Sequence, residues 1–391
     1  MAQPLETYQD EIYLNGLAGA VPALPADLSR LEEAARQVLT PQAFGYIAGS
    51  AGSGDTAREN LEALRRWRIL PRMLTDVSAP SYATEILGTP APVPMLLAPV
   101  GVLGIAHPDG ELAVARAAAA QGIPMILSTA SSTPLEDVAA ASGSGPRWFQ
   151  LYWPRDPGLA ASFLDRAAAA GFSVLVVTLD TRMLSWRPHD LDHGYLPFLQ
   201  GIGVQNYLSD PVFQAGLAAP VEEDRDAAIL RYTQLFGAPA LTWADLPFLR
   251  EHWSGPIVLK GILTPGDALR AADAGIDGIV VSNHGGRQVD GAIGALDALP
   301  PVAEAAGGEL TILFDGGIRG GADIVKALAL GARAVLIGRP YAYGLGLGGE
   351  DGVRHVLRAL RNDFELTMRL SGHTHLDELG PDAVQRRPGG A

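Results

Sequence analysis

The sequence predicts an α/β fold: a (β/α)8 barrel with an N-terminal helical extension and a long loop after the fourth strand. Eight short apolar runs recur at residues 95–100, 125–130, 148–153, 173–180, 257–262, 278–283, 310–315 and 334–339. Alanine-rich segments with helical character lie between most of them, at 111–121, 135–141, 159–170, 265–274 and 322–330. Near-continuous apolar runs mark parallel strands buried on both faces, and eight of them alternating with helices give the barrel. An open doubly wound sheet is the competing arrangement, but it needs a reversal of strand order that the sequence does not signal.

Taken in order, residues 1–90 form a helix-leaning segment expected to pack on a barrel over 91–391. Helical periodicity over 28–39 follows Asp27, a suitable N-cap. Residues 41–48 read as a second short helix. The stretch Gly49-Ser50-Ala51-Gly52-Ser53-Gly54 then reads as a linker, since it lacks a preceding strand and the Gly-Lys-Ser/Thr ending of a phosphate loop.

The barrel rhythm breaks between Asp180 and Thr242, where about sixty residues replace a usual connection of about 2–6. This insertion carries Trp186, Tyr195, Phe198, Tyr207 and Phe213, then the charged run Glu222-Glu223-Asp224-Arg225-Asp226. Residues 188–242 therefore read as a lid, with a subunit contact or an unordered segment as alternatives. Residues 353–370 read as a long final helix, and Pro388-Gly389-Gly390 as a frayed end.

Composition narrows the function. Hydrophobic residues make up 48% of the 391 and charged residues 18%, the balance of a soluble globule with a large core. A net charge of −14 argues against nucleic acid and anionic membranes as partners. The absence of cysteine removes disulfides, thiolate catalysis and thiolate-bound metals, and no metal site is expected. No apolar stretch reaches the roughly 18 residues of a membrane span, and Met1-Ala2-Gln3-Pro4-Leu5-Glu6 lacks a signal core. A cytoplasmic location is expected. Lysine occurs only at Lys260 and Lys326, which hints that a compact ammonium is needed there.

In such a barrel, chemistry belongs to the residues just past the C-terminal strand ends. Here those ends offer Ala98-Pro99-Val100-Gly101, Ser128-Thr129, Gln150 with Tyr152, Thr178 with Asp180, Lys260, Ser282 with His284, Asp315, and Gly338-Arg339. Arg187 lies just beyond the fourth strand, and Arg287 three residues after His284. An imidazole that accepts a proton beside a guanidinium that grips a carboxylate suits a small hydroxy acid. The last two strand ends, Asp315-Gly316-Gly317-Ile318-Arg319 and Ile337-Gly338-Arg339, suit a phosphate-bearing ligand. Lys260, at the barrel mouth, can hold negative charge developing on a ring.

The stretches Ser282-Asn283-His284-Gly285-Gly286-Arg287-Gln288, Asp315-Gly316-Gly317-Ile318-Arg319 and Ile337-Gly338-Arg339-Pro340 resemble the FMN-dependent L-2-hydroxy-acid oxidising family. The resemblance covers about residues 46–379. It implies FMN held by Ala98, Pro99, Gly101, Ser128, Gln150, Thr178, Lys260, Ser282, Asp315, Gly317, Arg319, Gly338 and Arg339. It implies substrate binding by Tyr46, Tyr152, Arg187 and Arg287, with His284 as base, Asp180 behind it, and O₂ as co-substrate. A homotetramer or homo-octamer is also implied.

Within the family, Tyr8-Gln9-Asp10-Glu11-Ile12-Tyr13, Trp186-Arg187-Pro188 and Ala98-Pro99-Val100-Gly101 lean toward lactate 2-monooxygenase. That implies conversion of L-lactate and O₂ to acetate, CO₂ and water. Plain oxidation to pyruvate and peroxide is the alternative. On this reading Gly101, lacking a side chain, leaves room above the flavin. Two rivals stand further off: a phosphate-binding isomerase or aldolase with Lys260 as a Schiff-base nucleophile, and a non-catalytic binding protein.

Overall fold

Eight parallel strands close into a barrel: β1 (Met95–Leu97), β2 (Met125–Ser128), β3 (Arg147–Leu151), β4 (Leu175–Thr178), β5 (Ile257–Ile262), β6 (Gly278–Val281), β7 (Thr311–Phe314) and β8 (Ala334–Ile337). Consecutive strands pair, and β8 returns to β1 through Val335 opposite Met95 and Leu336 opposite Leu96. This computed structural model describes residues 7–387; the expected frayed end at 388–390 lies outside them. Each of the eight apolar runs coincides with one strand, β3 starting one residue earlier at Arg147 and β5 filling its run, while most of the others end early because the last residues of the run already turn into the loops.

The two-residue alternation of a strand explains how the mouth is furnished. Leu96, Ile126, Trp148, Val176, Val258, Val280, Leu313 and Leu336 pack together as an inner core. Two residues further along the same face come Ala98, Ser128, Gln150, Thr178, Lys260, Ser282, Asp315 and Gly338. The opposite end is closed by the hairpin Thr84–Ile86 with Thr89–Ala91, where Thr89 Oγ1 accepts the Trp148 indole N–H at 2.8 Å.

A register shift in β5 between Lys260 and Ile262 places Gly261 at φ +108°. A Cβ there would come within 3.0 Å of the Asp180 side chain. Glycine thus lets β5 approach the end of β4 closely enough to set Asp180 in place.

Several expectations change. The segment 49–54 is a packed wall of the mouth: Ala51 N–H donates to Gly286 O and Gly52 N–H to Trp186 O, both at 2.9 Å, and Ser53 N–H to the Asp290 carboxylate at 2.7 Å. Its glycines serve close backbone approach and make no linker. The helix Ala295–Ala306, absent from the sequence reading, contains Pro300 and Pro301, which disguise its period. The last helix starts at Arg339 and runs to Leu370, with Gly348 and Gly349 breaking its helical geometry.

The insertion is ordered. It forms short helices Pro188–Asp192, Gln205–Leu208 and Pro211–Ala215, then Arg225–Leu235. Tyr207 anchors it, with its ring 4.9 Å from Phe163 on the barrel helix Pro157–Ala169 and 4.8 Å from Tyr232. Trp186 stays outside this core at 73% exposure. Before the barrel, Asp27 caps Leu28–Arg30 by accepting Ser29 N–H at 3.0 Å, and Leu31 and Ala35 of the following helix are buried.

Candidate active site

A cleft of about 1100 Å³, counting the open solvent at its entrance, lies at the C-terminal mouth. Tyr46, Ala98, Pro99, Gly101, Tyr152, Arg187, Lys260, His284, Arg287, Asp315, Gly317, Arg319, Gly338 and Arg339 all line it. Ser128, Gln150, Thr178 and Ser282 lie buried beneath that lining, and Asp180 stands behind His284. The structure therefore brings every predicted site residue to one region, whereas Lys326, the other lysine, lies away from the cleft, donating to Leu64 O at 3.1 Å.

His284 follows β6 in a left-handed turn, φ +59°, continued by Gly285 and Gly286 at +63° and +77°. Such a backbone costs a non-glycine residue roughly 1–3 kcal/mol and must be held by its surroundings. Asn283 does so: its Oδ1 accepts Gly286 N–H at 3.1 Å, while its amide exchanges two hydrogen bonds with that of Asn60, at 2.7 and 2.8 Å. Asn60, on the helix Asp55–Arg66, was missed in the sequence because nothing local marks a partner 223 residues away.

Asp180 Oδ1 lies 2.7 Å from His284 Nδ1, leaving Nε2 for the cleft. Burial pushes the imidazole below its ordinary range; Asp180 opposes that shift without cancelling it. Burial raises the Asp180 carboxyl, but His284, Lys260 and Thr181 outweigh it and hold it below the usual carboxylate range. The pair at neutral pH is thus carboxylate and neutral imidazole, ready to take a proton.

Lys260 Nζ is 2.9 Å from both Ser282 Oγ and Asp315 Oδ2. Burial lowers its affinity for a proton, yet Asp315 and Asp180 raise it further, so it stays an ammonium. That disfavours the Schiff-base rival, which needs a neutral amine.

Four guanidinium groups face the cleft at two ends. Arg187 donates to Ser185 Oγ at 3.0 Å and Gln288 Oε1 at 2.7 Å. Arg287 donates to Tyr46 O at 2.6 Å and Gly49 O at 2.8 Å, its guanidinium 5.0 Å from the Tyr46 ring centre. Arg319 and Arg339 likewise reach backbone carbonyls, at Ile318 and at Ile47, Gly49 and Gly285. Among the described residues none of the four bonds a carboxylate. Burial, then Arg187, depresses the Arg287 guanidinium to about 9, a cost that a bound anion would relieve.

FMN fits this arrangement. Gln150 Nε2 and Thr178 Oγ1 are buried without a protein partner, as polar atoms at the edge of a flavin ring would be. Of the two helix N-termini after β7 and β8, Gly321–Ala329 is closed by Asp363, which accepts Gly321 N–H. The helix beginning at Arg339 has no side-chain cap, and its opening beside Arg319 and Arg339 suits a phosphate.

One expectation about this wall is corrected. A Cβ at Gly101 would not project over open space: it would lie 2.8 Å from both Cβ and carbonyl oxygen of Ala130. The glycine is required by close packing of the β1 and β2 loops.

A family model described as FMN-dependent dehydrogenase matches residues 35–386. The chain belongs to that family. It is similar to the FMN-dependent alpha-hydroxy acid dehydrogenase qulF of Penicillium citrinum, 46% identical over 384 residues, covering 97% of this chain and 96% of that protein. An L-lactate oxidase of Lysinibacillus sphaericus is 42% identical over 373 residues, covering 95% and 96%. Among solved structures, a mandelate oxidase superposes with a TM-score of 0.83 at 38% identity, covering 94% of this chain and all of the other. Membership makes the chain an FMN-dependent oxidoreductase of 2-hydroxy acids. No helix among the described residues is long and apolar enough to cross a membrane.

Proposed function

We propose that the substrate is L-lactate, oxidised with O₂ to acetate, CO₂ and water. The observation that carries the hydroxy-acid chemistry is a neutral His284, backed by Asp180 at 2.7 Å, beside two guanidiniums without carboxylate partners. Arg187 and Arg287 hold the substrate carboxylate, and the Tyr46 and Tyr152 hydroxyls orient the 2-hydroxyl. His284 Nε2 takes the hydroxyl proton as the Cα–H bond breaks, and the Asp180 carboxylate stabilises the imidazolium. Bound FMN supplies the two-electron acceptor. Lys260 places positive charge where the ring becomes electron-rich.

A second reading, release of pyruvate and hydrogen peroxide, is favoured by Gly101: its closeness to Ala130 removes the argument that the glycine makes room for a retained product. Supplying L-lactate and O₂ with and without catalase decides between them. Acetate and CO₂ that persist with catalase support the coupled reaction; pyruvate with one equivalent of peroxide makes the enzyme an oxidase. We also place the protein in the cytoplasm as a homotetramer or homo-octamer. The family resemblance supports the assembly, and the cysteine-free, acidic composition supports the location.

A further inference from the structure

Gln288 follows His284 in the same loop, and both polar atoms of its side chain are engaged. Oε1 accepts from Arg187 Nη2 at 2.7 Å, while Nε2 donates to Asp180 O at 2.8 Å and Met183 O at 3.3 Å. The partners fix this orientation, because a guanidinium can only donate and a peptide carbonyl can only accept. Gln288 therefore ties a substrate-facing arginine to the backbone of the aspartate behind the base. Its side chain lines the space behind Asp180 and stands outside the substrate cleft, so its effect on substrate passes through those two neighbours.

The other acceptors around Arg187 are equally uncharged. Nε donates to Ser185 Oγ at 3.0 Å and to Arg287 O at 3.2 Å, and Ser185 Oγ donates to that same carbonyl. Asp190 feels the charge of both substrate arginines, yet among the described residues it bonds neither. Arg187 is nevertheless buried, at 7% exposure. A buried cation needs both a fixed geometry and an opposite charge. Hydroxyl, amide and peptide acceptors supply the geometry here and leave the charge unanswered. A carboxylate in place of the Gln288 amide would answer it permanently and compete with substrate.

We propose that Gln288 is a positioning residue for the substrate carboxylate: its neutral oxygen aims Arg187 into the cleft without neutralising it, and its amide nitrogen locks that aim to Asp180. The inference rests on the hydroxy-acid reading of the cleft and adds the residue that aims its clamp. The test measures oxalate dissociation constants from the flavin absorbance of the FMN-loaded enzyme. Wild type, Gln288→Met and Gln288→Glu are compared, each alone and combined with Arg187→Met. Gln288→Met, which frees Arg187 to turn away, should already weaken oxalate several-fold, and binding as tight as wild type would overturn the proposal. Gln288→Glu, nearly isosteric but negatively charged, should weaken oxalate by a further factor of about ten or more, the scale of one lost charge-assisted bond. In the Arg187→Met background the two substitutions should differ by about twofold or less, since the glutamate then has no guanidinium to neutralise. Equal oxalate affinity in Gln288→Glu and Gln288→Met, or a difference of the same size with and without Arg187, overturns the proposal whatever happens to the unfolding midpoint. A wild-type enzyme that binds no oxalate would instead overturn the underlying hydroxy-acid reading.

Discussion

Asp180 Oδ1 and His284 Nδ1 stand 2.7 Å apart, joining the end of β4 to the turn after β6. Gly261 makes this possible by clearing the space that a side chain on β5 would take from Asp180. The contact sets the imidazole tautomer: Nδ1 carries the proton given to Asp180, and Nε2 is free to accept.

A pH dependence follows from the direction of the His284 shift. Burial places its pKa below the ordinary histidine range, so the neutral base should persist through neutral pH, and flavin reduction should fall only as pH drops below that ordinary range. Asp180 raises that pKa. Asp180→Asn should therefore move the acid limb to still lower pH while reducing the maximal rate. Stopped-flow reduction against pH reads both effects, and an acid limb that moves upward would contradict the pairing.

Replacing Arg187 or Arg287 with methionine removes a charge-assisted bond to the substrate carboxylate. Oxalate binding should weaken by roughly 1.5–3 kcal/mol, about 10- to 150-fold. Titration of the flavin absorbance with oxalate measures it; unchanged binding in both variants would place the carboxylate elsewhere.

Asn60→Leu strips Asn283 of its amide partner and leaves the Ala295 N–H, now 2.9 Å from Asn60 Oδ1, without an acceptor. A buried group left unpaired costs about 1–3 kcal/mol. The urea midpoint should fall accordingly, and kcat should fall with it because the left-handed His284 turn loosens. A variant with normal kcat would show that the turn holds itself.

Gly101→Ala drives a methyl group against Ala130. Overpacking of this kind costs typically about 1–3 kcal/mol, and it should appear as weaker FMN binding and a lower unfolding midpoint. A shift in carbon products at undiminished FMN affinity would restore the view that Gly101 governs product escape.

The barrel was legible because buried parallel strands write themselves as apolar runs, and the strand-end residues follow from a two-residue alternation any sequence displays. His284, Asp180 and Lys260 stand at those strand ends, and the four arginines lie in the loops just past them. What was not legible depends on contacts distant in sequence. Asn60 carries no local mark of its bond to Asn283, and the 49–54 stretch looks like a linker until Gly286 and Asp290 are seen against it. Gly101 misled for the same reason: its need for no side chain comes from Ala130, on a different loop. Pro300 and Pro301 concealed a helix by violating the local rule that ordinarily reveals one.

The claim on which the account depends is that His284 is the base. His284→Ala should retain FMN, because apart from Ser282 the groups suited to the ring and phosphate belong to other strands, and its absorbance spectrum should remain that of bound flavin. Anaerobic reduction by L-lactate should slow by roughly 10²- to 10⁴-fold, the usual contribution of a positioned base. Reduction at a near-normal rate in the flavin-loaded variant would contradict it.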